Sequence, residues 1–179
     1  MPNGLDQSLT DEELADLVRF LSELGKPGPF GVTHVPVARR WQKLNATPAE
    51  WKGRDAETLG KTLHDGAGLV WSPVYARVSG DLPLKEALTG EKPVVVFRTQ
   101  LEVVTAGKVA LAFSKIPTIK LWVNGKPAPV SERTTLDLDR GIHTLTIWIE
   151  RSEPTMDALR VELGEIVGSK AAARFVSGR

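Results

Sequence analysis

Thr118-Ile119-Lys120-Leu121-Trp122-Val123-Asn124-Gly125 reads as a strand running into a tight turn. Ile119, Leu121 and Val123 alternate with Lys120, Trp122 and Asn124, a period of two that puts the first three on one sheet face and the others on the opposite face. Asn124-Gly125 suits a type I′ turn, which needs positive φ at both central residues, so a hairpin is expected there. The same grammar extends in both directions. Residues 94–105 are rich in β-branched side chains and alternate in their second half, with Phe97, Leu101 and Val103 opposed to Arg98, Gln100 and Glu102. Ala106-Gly107 turns the chain, and residues 108–114 alternate again with Val109, Leu111 and Phe113 inward. Beyond the hairpin, residues 134–138 form a further strand and Arg140-Gly141 a turn. Residues 142–150 then place Leu145, Ile147 and Ile149 on one face and Thr144, Thr146 and Trp148 on the other. Residues 157–163 and 172–176 complete the set. Short alternating strands without a βαβ rhythm predict a mainly β fold, an antiparallel β-sandwich over residues 67–179.

The N-terminal 26 residues carry a different period. Leu14, Leu17, Val18, Leu21 and Leu24 recur at helical spacing, Thr10 and Glu13 form a capping box, and Gly25 and Pro27 end the pattern. An N-terminal amphipathic helix is therefore expected. A helix of this length is marginal alone, so it must dock, pair with another molecule or fray; fast amide exchange along it is expected. Residues 27–66 read as a linker and irregular segment, opened by the proline- and glycine-dense residues 26–31. Within it, residues 37–44 look extended, and residues 55–63 suit a small helix capped by Asp55. Asp65-Gly66 marks a turn, Gly68 to Ser79 looks extended with Trp71 and Tyr75 supplying bulk, and residues 82–88 suit one or two helical turns.

The 179 residues carry 23 Lys and Arg against 22 Asp and Glu, a net charge of +1. No global field draws the chain to nucleic acid or an anionic membrane. No run approaches the about 18 apolar residues that span a bilayer, and the N-terminus lacks the apolar core of a signal peptide. With no cysteine, the chain can form neither a disulfide scaffold, a thiolate metal site, a cysteine nucleophile nor a CxxCH haem attachment.

Two segments resemble known proteins. Met1-Pro2-Asn3-Gly4-Leu5 running into Leu9-Thr10-Asp11-Glu12-Glu13-Leu14-Ala15-Asp16-Leu17-Val18-Arg19-Phe20-Leu21 resembles the end of a class I cytochrome c domain, where a Met-Pro pair precedes a final helix. It is most similar to that region in the large planctomycete-type haem-c proteins of the membrane-bound-dehydrogenase kind. The stretch Trp71-Ser72-Pro73-Val74-Tyr75-Ala76-Arg77-Val78-Ser79-Gly80-Asp81-Leu82-Pro83-Leu84 resembles the entry to the β-module that trails their haem domain. Gly107-Lys108-Val109, Leu121-Trp122-Val123-Asn124-Gly125-Lys126 and Leu138-Asp139-Arg140-Gly141-Ile142-His143-Thr144-Leu145 are similar to jelly-roll modules of the protective-antigen type. The resemblance implies a jelly-roll-like sandwich in a multidomain, periplasmic or extracellular parent, with adjacent domains as partners and haem c as the parent's cofactor. It also implies that Met1 stands where the family's methionine can be the distal haem ligand. Lacking CxxCH, this chain holds no covalent haem and has no cofactor of its own; it is expected to be a C-terminal piece of such a parent.

His34, His64 and His143 match no metal spacing, and His143 falls in phase with Leu145 and Ile147, which gives it a structural role. Asp137 and Asp139 read as a solvated strand face. No Gly-x-Ser-x-Gly elbow accompanies the serines, and Asp65-Gly66-Ala67-Gly68 lacks the strand-to-helix setting of a phosphate loop, so no metal or catalytic residue is assigned. One constellation remains: Trp122 and Trp148 point away from the apolar faces of their strands. Either they form a platform for stacking on sugars, with Asn124 and Lys126 at its rim, or the linker, helix or C-terminal tail covers them as ordinary packing. The expected function is a non-catalytic accessory or docking module of the haem-c parent, with polysaccharide binding as the alternative.

Overall fold

The computed structural model describes residues 9–23, 35–84, 94–114, 119–150 and 158–176. Met1, His34, the helix stop at Gly25 and Pro27, and residues 85–88 lie outside these. The chain divides into two units, residues 1–34 and 35–179.

The first unit contains helix α1, Asp11–Glu23. Its start is the expected capping box: the Thr10 backbone N–H donates to Glu13 Oε2 at 2.8 Å, and the Glu13 N–H donates to Thr10 Oγ1 at 3.3 Å. The backbone bond from Thr10, then the bond from its hydroxyl, hold the Glu13 carboxyl below its ordinary pKa. No residue of α1 is buried.

The second unit is mainly β and antiparallel. It begins with β1 (Arg40–Leu44), a 3₁₀ turn (Ala49–Gly53), α2 (Ala56–Asp65), β2 (Trp71–Tyr75) and β3 (Leu82–Pro83). Then follow β4 (Val94–Thr105), β5 (Gly107–Phe113), β6 (Ile119–Val123), β7 (Lys126–Ala128), β8 (Arg133–Leu138) and β9 (Gly141–Glu150). The last strands are β10 (Ala158–Leu159), β11 (Val161–Gly164) and β12 (Ala172–Phe175). One sheet runs β2-β1-β4-β9-β6-β7, with β12 also paired to β4; a three-stranded sheet runs β11-β5-β8, and β10 pairs with β3. The main core lies between the two larger sheets. Phe97, Leu101, Leu121, Leu145 and Ile147 meet Val109, Leu111 and Phe113, inward residues that alternation marks, together with Leu136 and Val161.

Two boundaries differ from expectation. Residues 35–66 are not a linker to the sandwich: β1 pairs with β2 on one side and β4 on the other, an interior position in the large sheet. The first two residues of the expected helical turn, Leu82–Pro83, form a strand instead, because pairing with Ala158–Leu159 seats Leu82 and Leu159 in the core, while Leu84 after them is helical.

A second core lies on the outer face of the large sheet. Leu44, Val94, Val96, Trp122 and Trp148 from the sheet meet Trp51 from the 3₁₀ turn and Leu59 and Leu63 from α2. Spacing of four places Leu59 and Leu63 on one side of α2. Asp55 caps this helix, its Oδ1 accepting from the Thr58 N–H at 2.9 Å. The Thr58 backbone bond, then its side chain, hold the Asp55 carboxyl below its ordinary pKa. A carboxyl lowered in the folded state contributes stability above its unfolded pKa, and that contribution disappears as pH falls through the folded value. Asp55→Asn, which retains a capping oxygen, is therefore expected to weaken the acid dependence of unfolding below about pH 4. Urea midpoints at neutral and acidic pH check this, and equal acid sensitivity in both proteins contradicts it.

Candidate functional site

The second core decides the fate of the two outward tryptophans. Both leave the main core as their strand phase requires, yet both are 0% exposed. The Trp122 Nε1–H donates to the Ala56 carbonyl at 2.7 Å, and that of Trp148 to Glu150 Oε1 at 3.2 Å. Neither ring can serve as a stacking platform, because the segment expected to be a linker lies over them. Asn124 is equally committed. Its φ of 50° with Gly125 at 76° gives the expected turn, its Oδ1 accepts from the Thr144 N–H at 2.8 Å, and its Nδ2 lies 3.0 Å from His143 Nδ1. Since the amide oxygen is taken, the Asn124 nitrogen is the donor, and His143 Nδ1 accepts. His143 Nε2 then carries the hydrogen and donates to the Asp139 carbonyl at 2.8 Å. This is the structural role expected of His143.

Lys126 is exposed and, with Asn124, borders a cavity of about 320 Å³ against Glu57, Lys61, His64 and Asp65 of α2. Among the described residues two acidic and two basic side chains meet there, with no net preference for a charged ligand. Asp137 and Asp139 lie on the exposed face expected of them. Among the described residues no three His, Asp or Glu side chains are grouped to hold a metal.

The stronger candidate lies beyond the edge of α2. Along the outward positions of β4, the residues change from Val94 and Val96 to Arg98, Gln100 and Glu102, and the apolar cover ends at this change. Register assembles the open face. Gln42 pairs with Arg98, Arg98 with Thr146, Gln100 with Thr144, and Arg40 with Tyr75, so each pair projects to one side. One edge of β4 is shared by two strands, β1 at Phe97 and Arg98 and β12 from Leu101 onward. Where they part is a cavity of about 390 Å³, lined by Arg40, Gln42, Arg98, Gln100 and Thr144 among others.

Arg98 is held rigidly there. Its Nε donates to Gln42 Oε1 at 2.7 Å, and its guanidinium carbon sits 4.1 Å from the Trp71 ring centroid. Burial lowers the Arg98 pKa from its ordinary value, although an arginine remains charged at any physiological pH. Among the described residues the cavity lining contains two arginines and no acidic side chain. The neighbouring Glu102 does not compensate them, because its Oε2 is 2.7 Å from Arg174 Nη2. Tyr75, paired with Arg40 in register, is 63% exposed.

Arg98, Gln100 and Thr144 could be read as an outward face from alternation, but their meeting with Arg40, Gln42 and Tyr75 depends on long-range pairing. The available signal was the apolar-to-polar switch along β4, which shows where cover stops. No model of a known protein family matches the chain, and no curated protein matches it.

Proposed function

We propose that the chain is an accessory module, non-catalytic in itself, of a larger exported electron-transfer protein of the haem-c kind, with the sandwich as a docking domain beside the redox centre. Helix α1 carries this reading. It has a complete capping box and an apolar stripe of Leu14, Leu17, Val18 and Leu21, yet none of its residues is buried. A helix of 13 residues gains most of its stability in a protein from packing such a face. The resemblance to a cytochrome c terminus supplies a surface for that stripe, the first helix of a haem domain. Reading the gene upstream of the Met1 codon tests the proposal. An in-frame CxxCH segment is expected, and an in-frame stop codon with no CxxCH after it overturns the reading.

A second reading, a carbohydrate-binding module, is favoured by the open half of the large sheet. Amides from Gln42 and Gln100, the Thr144 hydroxyl and the exposed Tyr75 ring combine hydrogen-bonding groups with a stacking surface. The face uses none of the buried tryptophans. Electrophoresis of the whole chain through gels containing single polysaccharides tests it: retardation by at least one is expected, and retardation by none rejects it.

A further inference from the structure

We infer that the cleft where β1 and β12 part along β4 binds an acidic polysaccharide, taking a sugar carboxylate on the guanidinium groups of Arg40 and Arg98. This rests on the carbohydrate-binding reading of the same face and specifies the sugar's chemistry.

Four observations converge. Among the described residues the lining has two cationic side chains and no anionic one, while the nearest acidic side chain on the same face of β4 is already paired with Arg174. Arg98 is fixed before any ligand arrives: Gln42 holds its Nε, and Trp71 lies against its guanidinium. A planar guanidinium held in this way presents its remaining N–H groups in the fork geometry that matches a carboxylate, with less side-chain freedom left to lose on binding. Around the two arginines, Gln42, Gln100 and Thr144 offer neutral donors and acceptors suited to sugar hydroxyls. Finally, Tyr75 stands beside Arg40 in register, adding an exposed ring to the same face. From β2 through β1 and β4 to β9 the face is about 14 Å wide at ordinary strand spacing, enough for more than one sugar ring.

The number and placement of cations distinguish this ligand from nucleic acid. A phosphodiester strand repeats its charge continuously, and its binding depends on a track of Lys and Arg. Here two arginines stand among amides and hydroxyls, in a chain of net charge +1. This suits discrete carboxylates on an otherwise hydroxyl-rich chain.

The test is gel electrophoresis of the whole chain through polygalacturonate, neutral galactan or single-stranded DNA, with titration by oligogalacturonate to measure affinity. Retardation by polygalacturonate is expected, with little by galactan or DNA. Arg98→Gln and Arg40→Gln should each weaken oligogalacturonate binding about tenfold, the loss of one charge-assisted hydrogen-bond pair. Arg40→Gln leaves the Trp71 and Gln42 contacts intact, so it remains informative if Arg98→Gln fails to fold; circular dichroism establishes folding for both. Equal retardation by galactan overturns the carboxylate assignment while leaving carbohydrate binding standing. Retardation by no polysaccharide rejects both, and DNA binding as strong as polygalacturonate binding rejects the sugar in favour of a general polyanion. Unchanged affinity in folded Arg40→Gln also overturns the proposal.

Discussion

Trp122→Ala is expected to lower the unfolding free energy by about 3–5 kcal/mol, the range for truncating a large buried aromatic side chain. Its ring is enclosed by the second core, where Trp148, Leu59, Leu63 and Val96 form the same cluster. Truncation also leaves the Ala56 carbonyl without its indole partner. The two loci of loss coincide at the seam between α2 and the sheet, so the helix is the element to loosen first. Trp148→Ala should have an effect of similar size. Urea unfolding, followed by tryptophan fluorescence and by far-ultraviolet circular dichroism, provides the measurement. A stacking residue would show the opposite behaviour, lost affinity with an unchanged midpoint, and that result would contradict the buried role.

Gly60→Ala sets two effects of opposite sign against each other. In a helix interior, alanine is favoured over glycine by about 1 kcal/mol, so propensity alone predicts stabilisation. Space predicts the reverse. A Cβ on Gly60 would lie 2.2 Å from the Gly125 carbonyl oxygen and 2.3 Å from Trp122 Cδ1. Neither neighbour yields easily: the indole is tied to Ala56, and the turn at Gly125 is held by the bonds of Asn124. Overpacking at such a site costs about 1–3 kcal/mol and occasionally more. With both neighbours fixed, the upper end applies, and a net destabilisation of about 2 kcal/mol is expected. A raised midpoint in urea would show that α2 can move away from the hairpin without loss.

These two sites show what could be read from the sequence alone. Strands β4, β5, β6, β8 and β9 were legible because alternation, the Asn124-Gly125 turn and the Arg140-Gly141 turn are local signals. The cap of α2 by Asp55 was legible for the same reason. What covers a sheet face is not local. Trp122 and Trp148 were assigned to the correct face, but only the return of α2 over that face decides between platform and core. Residues 35–66 misled because their elements are short and separated by irregular chain, although β1 joins the middle of the sheet. The cleft was still less accessible. Arg40 and Arg98 are far apart in sequence, and the pairing of β1 with β4 brings them to one lining.

Apart from β12, which branches from β4, the large sheet ends in β2 on one side and β7 on the other, and each of these two strands has a proline at its centre. The Ala76 N–H donates to the Arg39 carbonyl at 2.8 Å, and the Asn45 N–H to that of Val70 at 3.0 Å. The even-numbered amides of β2 therefore face β1, and the Pro73 nitrogen faces outward. In β7, the two-residue turn makes Val123 and Lys126 the closing pair, which likewise directs the Pro127 nitrogen away from β6. A strand from another molecule would find, at the middle of either border, a ring where it needs a hydrogen-bond donor. Both borders thus resist templated growth into aggregates, a protection that lies in the backbone and persists whatever the surface charge.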